Sequence, residues 1–267
     1  MTADTAASAP HIEDVVDRLD LAETTRTPVG DDGTWPALTL DEAYTAQAGL
    51  FARRTARGEH EAGLKLGFTS AAKMRQMGVS DLIVGRLTDA MRIAEGSVLD
   101  PTALIHPRVE PEVAFRVGLD VDLADPDADL LSSVEAVAPA MEIIDSRYEG
   151  FRFDLPRVVA DNTSAARYVI GMWAPLDPLA LGNLGVALRV DGQDTAFGST
   201  SAILGHPMRT LTRLQALGGR LGLRLRAGAV VLAGAATAAV PLPLGHVEVA
   251  VSTLGRAGIH VEGARHE

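Results

Sequence analysis

His106-Pro-Arg-Val-Glu-Pro-Glu-Val-Ala-Phe115 is the stretch from which the rest of the chain can be read. In a β-strand, side chains two apart share a face. His106, Arg108, Glu110 and Glu112 then line one side, and Val109, Val113 and Phe115 the other. Two carboxylates one residue apart can converge on a hard cation such as Mg²⁺ or Mn²⁺, which prefers oxygen ligands. A strand with one solvated face fits the same spacing.

A second run decides what company this strand keeps. Val134 to Tyr148 (VEAVAPAMEIIDSRY) is apolar apart from Glu142 at its centre. A carboxylate buried without a partner costs several kcal/mol, so it is either paired or bound to a cation. Glu142 is a third ligand beside Glu110 and Glu112, or it makes a salt bridge to Arg108 or Arg147.

Outward from these runs, further strands read at 167–173, 185–190, 229–233, 246–251 and 258–262. Gly63 to Thr69 alternates, with Leu64, Leu66 and Phe68 opposite Gly63, Lys65 and Gly67. Helices are expected at 11–21, from a Thr39/Glu42 capping box to about Gly58, from Ser70 to near Gly78, and at 207–222. Few helices separate the later strands, so regular βαβ alternation is not expected. The expectation is an α+β fold with a mixed, mostly antiparallel β core, a disordered tail at 1–10, a mainly helical portion at 11–95 and a β core at 96–265. The aspartates between Asp120 and Asp129 lack an EF-hand arrangement and read as a solvated loop.

Composition narrows the chemistry. The 267 residues carry a formal charge of −11, which argues against a nucleic-acid or anionic-membrane partner. No apolar run reaches the roughly 20 residues that span a bilayer, and residues 1–10 have no secretory pattern, so a cytoplasmic protein is expected. The absence of cysteine excludes disulfides and thiolate chemistry. No nucleotide fingerprint, GxSxG elbow or histidine metal spacing occurs. Lys65, one of two lysines, lies between glycines on a strand whose other face is apolar; such an ammonium can exchange a proton, or it can snorkel at a sheet rim. Lys73 reads as solvated. Asp161-Asn-Thr-Ser164 and Thr237 read as turn residues or as ligand-binding hydroxyls and amides.

Lys65-Leu-Gly-Phe-Thr-Ser70, His106 to Glu112, Ala140-Met-Glu-Ile-Ile-Asp-Ser146 and Asp161-Asn162 fall in the order and spacing of the fumarylacetoacetate hydrolase superfamily. The chain resembles the branch that holds 2-oxopent-4-enoate hydratases and 4-oxalocrotonate decarboxylases, over roughly residues 40–262. The resemblance implies a mixed β-sandwich roll, homo-oligomers and Mg²⁺ or Mn²⁺ held by Glu110, Glu112 and Glu142. It further implies a catalytic Lys65, a small 2-oxo acid substrate and a possible partner hydratase. Ile83 stands where the hydratases carry an aspartate, and Gly85-Arg-Leu-Thr-Asp89 looks like the decarboxylases. Decarboxylation of a 2-oxo-3-enedioate is therefore the expected activity, with hydration of a 2-hydroxy-2,4-dienoate as the alternative. Arg86 or Arg147 is expected to orient the distal carboxylate, and Asp161, Ser164 and Thr237 to bind substrate. Val84, Gly205-His-Pro-Met208 and Gly245-His246 depart from the decarboxylase pattern.

Overall fold

The computed structural model describes residues 9–70, 74 and 82–263. The expected helix from Ser70 to Gly78, Lys73 within it, and most of the expected disordered tail lie outside the described residues.

A nine-stranded mixed sheet is the backbone of the molecule. Its main strands are β1 (Glu61–Gly67), β2 (Ile83–Thr88), β3 (Arg108–Val117), β4 (Val134–Ile144), β5 (Ala165–Ile170) and, later in the chain, Val230–Leu232. A five-stranded sheet faces it, built on β6 (Gly185–Val190), β7 (Gln193–Ser199), then, after Val230–Leu232 (β8), β9 (Gly245–Val251) and β10 (Gly255–Val261). Across the larger sheet the order is β2-β1-β8-β3-β4-β5, ending in Arg92–Ile93. The β1–β8 pairing is parallel and the other pairings among β1, β2, β3, β4, β5 and β8 are antiparallel.

Between the sheets lies the main core. Leu64 and Leu66 from β1, Val109, Val113 and Phe115 from β3, and Val137, Met141 and Ile143 from β4 pack with Val247, Val249 and Ile259. Strands from before and after residue 96 thus share one sheet and one core. The boundary expected at 95/96 cuts through that core, because Leu64 and Leu66 bury beside Val113 rather than against the helices.

The helices α1 (Pro10–Thr25), α2 (Leu40–Ala56) and the short α3 (Leu155–Ala160) form a second cluster through Val15, Val16, Leu19, Ala46, Leu50 and Val159. Thr39 and Glu42 make the full capping box at the start of α2. The Gln47 amide then ties α2 to the sheet, donating 2.9 Å hydrogen bonds to the Val84 and Val159 carbonyls. A fourth helix, α4 (Met208–Arg220), packs Leu211, Leu214 and Leu217 into the main core. No helix among the described residues is long and apolar enough to cross a membrane.

Candidate metal centre

Strand period places the chemistry on the face of the large sheet that turns away from the main core. Glu110 and Glu112 alternate with the core residues Val109 and Val113 on β3. Glu142 sits directly opposite Glu110 in the β3–β4 register. Carboxylate oxygens of Glu110, Glu112 and Glu142 lie within 4.8 Å of one another. Glu112 and Glu142 are each 1% exposed.

Pro111 explains why the strand opens at this point. Proline has no N–H to give a ladder and is tolerated in a sheet only where pairing is interrupted. On that side of β3 the partner chain pairs at Ala114–Arg116 and again at Arg108–Val109, and loops outward between them. The loop is pinned by Ala236 N–H to the Pro111 carbonyl, 2.8 Å. It brings the Gly234 N–H to Glu112 Oε2 at 2.8 Å. Gly234 has φ +106, and a Cβ there would fall 2.0 Å from Thr69 Oγ1, so no other residue fits without displacing the loop.

Lys65 approaches from β1. Its Nζ donates to the Thr163 carbonyl at 2.9 Å and lies 3.0 Å from Glu142 Oε1. The latter contact is an ion pair without hydrogen-bond angles: both Glu142 oxygens and Glu112 Oε1 are buried and accept no hydrogen bond. Burial would lower the Lys65 pKa, but Glu142, Glu110 and Glu112 together outweigh it and raise it. Burial, then the charges of Glu142 and Glu110, push Glu112 well above the usual carboxylate range. Burial likewise raises Glu142 against the pull of Lys65. Three carboxylates against one ammonium leave a shortage of positive charge in a dry place. Orphaned, convergent oxygens are the donor set a hard divalent cation takes, so the residues present fit Mg²⁺ or Mn²⁺.

The turn that receives Lys65 is unusual. Asn162, Thr163 and Ser164 have φ values of 49, 51 and 58, left-handed backbone that a β-branched residue such as Thr163 rarely adopts. The Asn162 side chain accepts from the Arg86 N–H at 2.7 Å and donates to the Arg86 carbonyl at 2.9 Å, bracketing β2. Beneath it Asp161, fully buried, accepts from Arg147 Nε and from the Ser146 and Ser164 hydroxyls, each at 3.2 Å. Burial pushes Asp161 up to about 6, against Arg147 and these donors.

The structure therefore brings Lys65, Glu110, Glu112 and Glu142 together, and the other expected site residues have contacts of their own. Arg147 is 2% exposed and is consumed by Asp161 and by the carbonyls of Asp145 and Ala165, so its guanidinium is built into the fold and is not presented to a substrate. Arg86 pairs with Leu64, on the face opposite Lys65, and its guanidinium rests over Phe51 with Glu61 3.4 Å away. Asp161 and Ser164 support the turn from below, and the Thr237 hydroxyl donates to the Ala238 carbonyl at 3.1 Å. Sequence reasoning missed the Thr163 carbonyl, since a backbone group leaves no mark in residue identity; the loop amides at 234–237 were expected to hold a ligand's carboxylate, and the Gly234 N–H holds that of Glu112. A groove of about 550 Å³ lies elsewhere, on the five-stranded sheet beside Phe197 and Arg256. It has no carboxylate lining, and the chemistry of the buried cluster is the better guide to function.

Comparison with known proteins agrees with this geometry. The chain is 45% identical over 259 residues to a 4-oxalocrotonate decarboxylase of a Pseudomonas species, covering 95% of this chain and 99% of the relative. A 2-keto-4-pentenoate hydratase of Paraburkholderia xenovorans is 35% identical, over 76% of each chain. Among solved structures, a 4-oxalocrotonate decarboxylase from Pseudomonas putida G7, complexed with magnesium and adipate, superposes with a TM-score of 0.86. It is 34% identical and covers 94% of this chain and 97% of its own. The fold extends to fumarylpyruvate hydrolase from Pseudomonas aeruginosa, with TM-score 0.58 and 17% identity over 76% of this chain and 90% of the other. No family model matches the chain.

Proposed function

The chain belongs to the family of 4-oxalocrotonate decarboxylases and related dienoate hydratases, and from that premise we propose how its residues act. It is a divalent-metal-dependent decarboxylase of a 2-oxo-3-enedioate, giving a 2-hydroxy-2,4-dienoate and CO₂. The observation that carries this reading is the convergence of three carboxylates, two of them buried with oxygens that accept no hydrogen bond.

Glu110, Glu112 and Glu142 would hold Mg²⁺ or Mn²⁺, which supplies Lewis acidity toward the 1-carboxylate and 2-oxo oxygens of the substrate. In the reaction the C5–C6 bond breaks and CO₂ departs. Its electron pair passes to C5 and through C4=C3 to the C2 oxygen, which takes up one proton. Lys65 Nζ is the proton-bearing group at the cluster, held charged by the three carboxylates and aimed by the Thr163 carbonyl. The buried setting excludes water, which keeps the electrostatic pull of Lys65 strong and disfavours hydration of the dienoate product.

Hydration is the second reading, and the 35% identity to a hydratase favours it. Ile83 speaks for decarboxylation: it packs in the helical cluster, and no acid stands at its position to activate water. Self-association and a partner hydratase belong to the same proposal, supported by the 73% exposed Phe197 beside the groove on the five-stranded sheet. The test is incubation of 2-oxo-3-hexenedioate and, separately, of a 2-hydroxy-2,4-dienoate with EDTA-treated and Mg²⁺-restored protein. Metal-dependent CO₂ release supports decarboxylation, formation of a 4-hydroxy-2-oxo acid from the dienoate supports hydration, and neither product refutes both.

A further inference from the structure

Arg108 opens β3 two residues before Glu110, and strand period puts it on the face that carries Glu110 and Glu112. Its register partner Ile144 lies two residues past Glu142, on the same side of β4. The guanidinium carbon sits 4.3 Å from the centre of the Phe151 ring. Among the described residues no carboxylate or carbonyl accepts a hydrogen bond from it, in contrast to Arg147 with Asp161 and Arg86 with Glu61. His106 borders the same ring at 5.0 Å between centroids, and its Nε2 is buried and has no hydrogen-bond partner.

A half-buried guanidinium stacked on an aromatic ring has shed part of its water yet keeps its in-plane N–H donors for a planar, charged acceptor. The position suits the length of the substrate. Arg108 and Glu110 are about 7 Å apart along the strand. In an extended enedioate four carbon–carbon bonds separate C2 from C6, on the order of 5 Å. With the oxo-acid end at the three glutamates, the other end falls toward Arg108.

We propose that Arg108, seated on Phe151, binds the distal carboxylate of the substrate and makes the site select a diacid over a mono-acid, with His106 Nε2 as a neighbouring polar contact. The inference rests on the reading above that the glutamates hold the oxo-acid end. Because the C6 carboxylate leaves as neutral CO₂, a bond to it holds the substrate and does not strengthen as the C5–C6 bond begins to break. Loss of Arg108 therefore shows in KM and spares kcat.

The experiment uses the Mg²⁺-loaded enzyme with three non-reacting probes: oxalate for the chelating end, and adipate and hexanoate as a diacid and a mono-acid of equal length. In the wild type adipate inhibits more tightly than hexanoate. Arg108→Met raises KM for 2-oxo-3-hexenedioate roughly 10- to 100-fold, the worth of a charge-assisted carboxylate bond. It also removes the adipate advantage and leaves kcat and oxalate inhibition nearly unchanged, whereas Arg108→Lys restores part of the advantage. A wild type indifferent to the second carboxylate overturns the assignment, whatever the stability of the variants. So does an Arg108→Met enzyme that keeps its KM, or one that loses kcat instead. Absence of both oxalate inhibition and CO₂ release in the wild type is a different failure, that of the parent reading.

Discussion

Gly85 stands opposite Lys65 in the β1–β2 register, and a Cβ built on it would lie 2.1 Å from Thr163 Oγ1, 2.7 Å from the Asn162 carbonyl and 3.0 Å from Lys65 Cδ. The missing side chain at one strand position is what lets the left-handed turn reach the lysine.

Gly85→Ala is therefore expected to push the Thr163 carbonyl away from Lys65 Nζ. Overpacking of this kind costs about 1–3 kcal/mol. Expressed as misplacement of the ammonium, that is a fall of roughly 10- to 100-fold in kcat. Steady-state kinetics with a Mg²⁺ titration check it: the carboxylates are untouched, so the protein still binds the ion, and kcat stays low even at saturating Mg²⁺. A variant with wild-type kcat would show that the turn does not position Lys65.

Metal removal has a stability signature as well as a catalytic one. Glu112 Oε1 and both Glu142 oxygens accept no hydrogen bond, so a cation that satisfies them binds the folded chain and not the unfolded one. At one hundred times its dissociation constant, Mg²⁺ adds about 2.7 kcal/mol. For a chain of this size the melting temperature rises by at least about 5 °C over the EDTA-treated protein. Differential scanning calorimetry measures it, and Glu112→Gln is expected to lose most of the Mg²⁺-dependent rise.

Lys65→Met separates catalysis from metal binding by the sign of its two effects. Removal of the proton-bearing group lowers kcat by about 10²- to 10⁴-fold. Removal of a cation 3.0 Å from Glu142 leaves the cluster more negative, so Mg²⁺ binds more tightly, by about tenfold or more. Isothermal titration calorimetry on the variant tests the second half. Weaker Mg²⁺ binding would mean that Lys65 supports the ligand geometry rather than competing with the ion.

Much of this site was legible in the chain because its parts obey the two-residue period. Glu110 and Glu112 on one strand, Glu142 alone in an apolar run and Lys65 between glycines each advertise a polar side chain on a face with its own rules. The seven-residue strand β7 was not legible, since Gln193, Asp194 and Thr195 are exposed and give no apolar alternation. Arg86 and Arg147 were plausible anion binders by residue type, but which acid an arginine meets depends on contacts between distant segments. Asp161 takes Arg147 through the crossing of α3 and the end of β4. Arg108, with no acid opposite it, was left facing Phe151.

The Arg147–Asp161 pair gives a pH dependence whose sign is set by burial. Asp161 is raised from an ordinary 3.8 to about 6, so the folded protein holds a proton there that the unfolded chain has already lost. A raised carboxyl contributes stability at low pH and loses it as pH rises, here between about 4 and about 6, and the shift is worth about 3 kcal/mol. Asn at position 161 cannot titrate. The stability advantage of wild type over Asp161→Asn should thus shrink across that window and level off above it. Urea unfolding of EDTA-treated protein at half-unit pH steps measures the difference, in which the glutamate cluster cancels because both proteins carry it. Arg147→Met moves the window upward, since the buried carboxylate loses its counter-charge, and costs about 3–5 kcal/mol at neutral pH. An advantage that grows from pH 4 to pH 6 would mean that Arg147 and the two serine hydroxyls outweigh burial and hold Asp161 ionised.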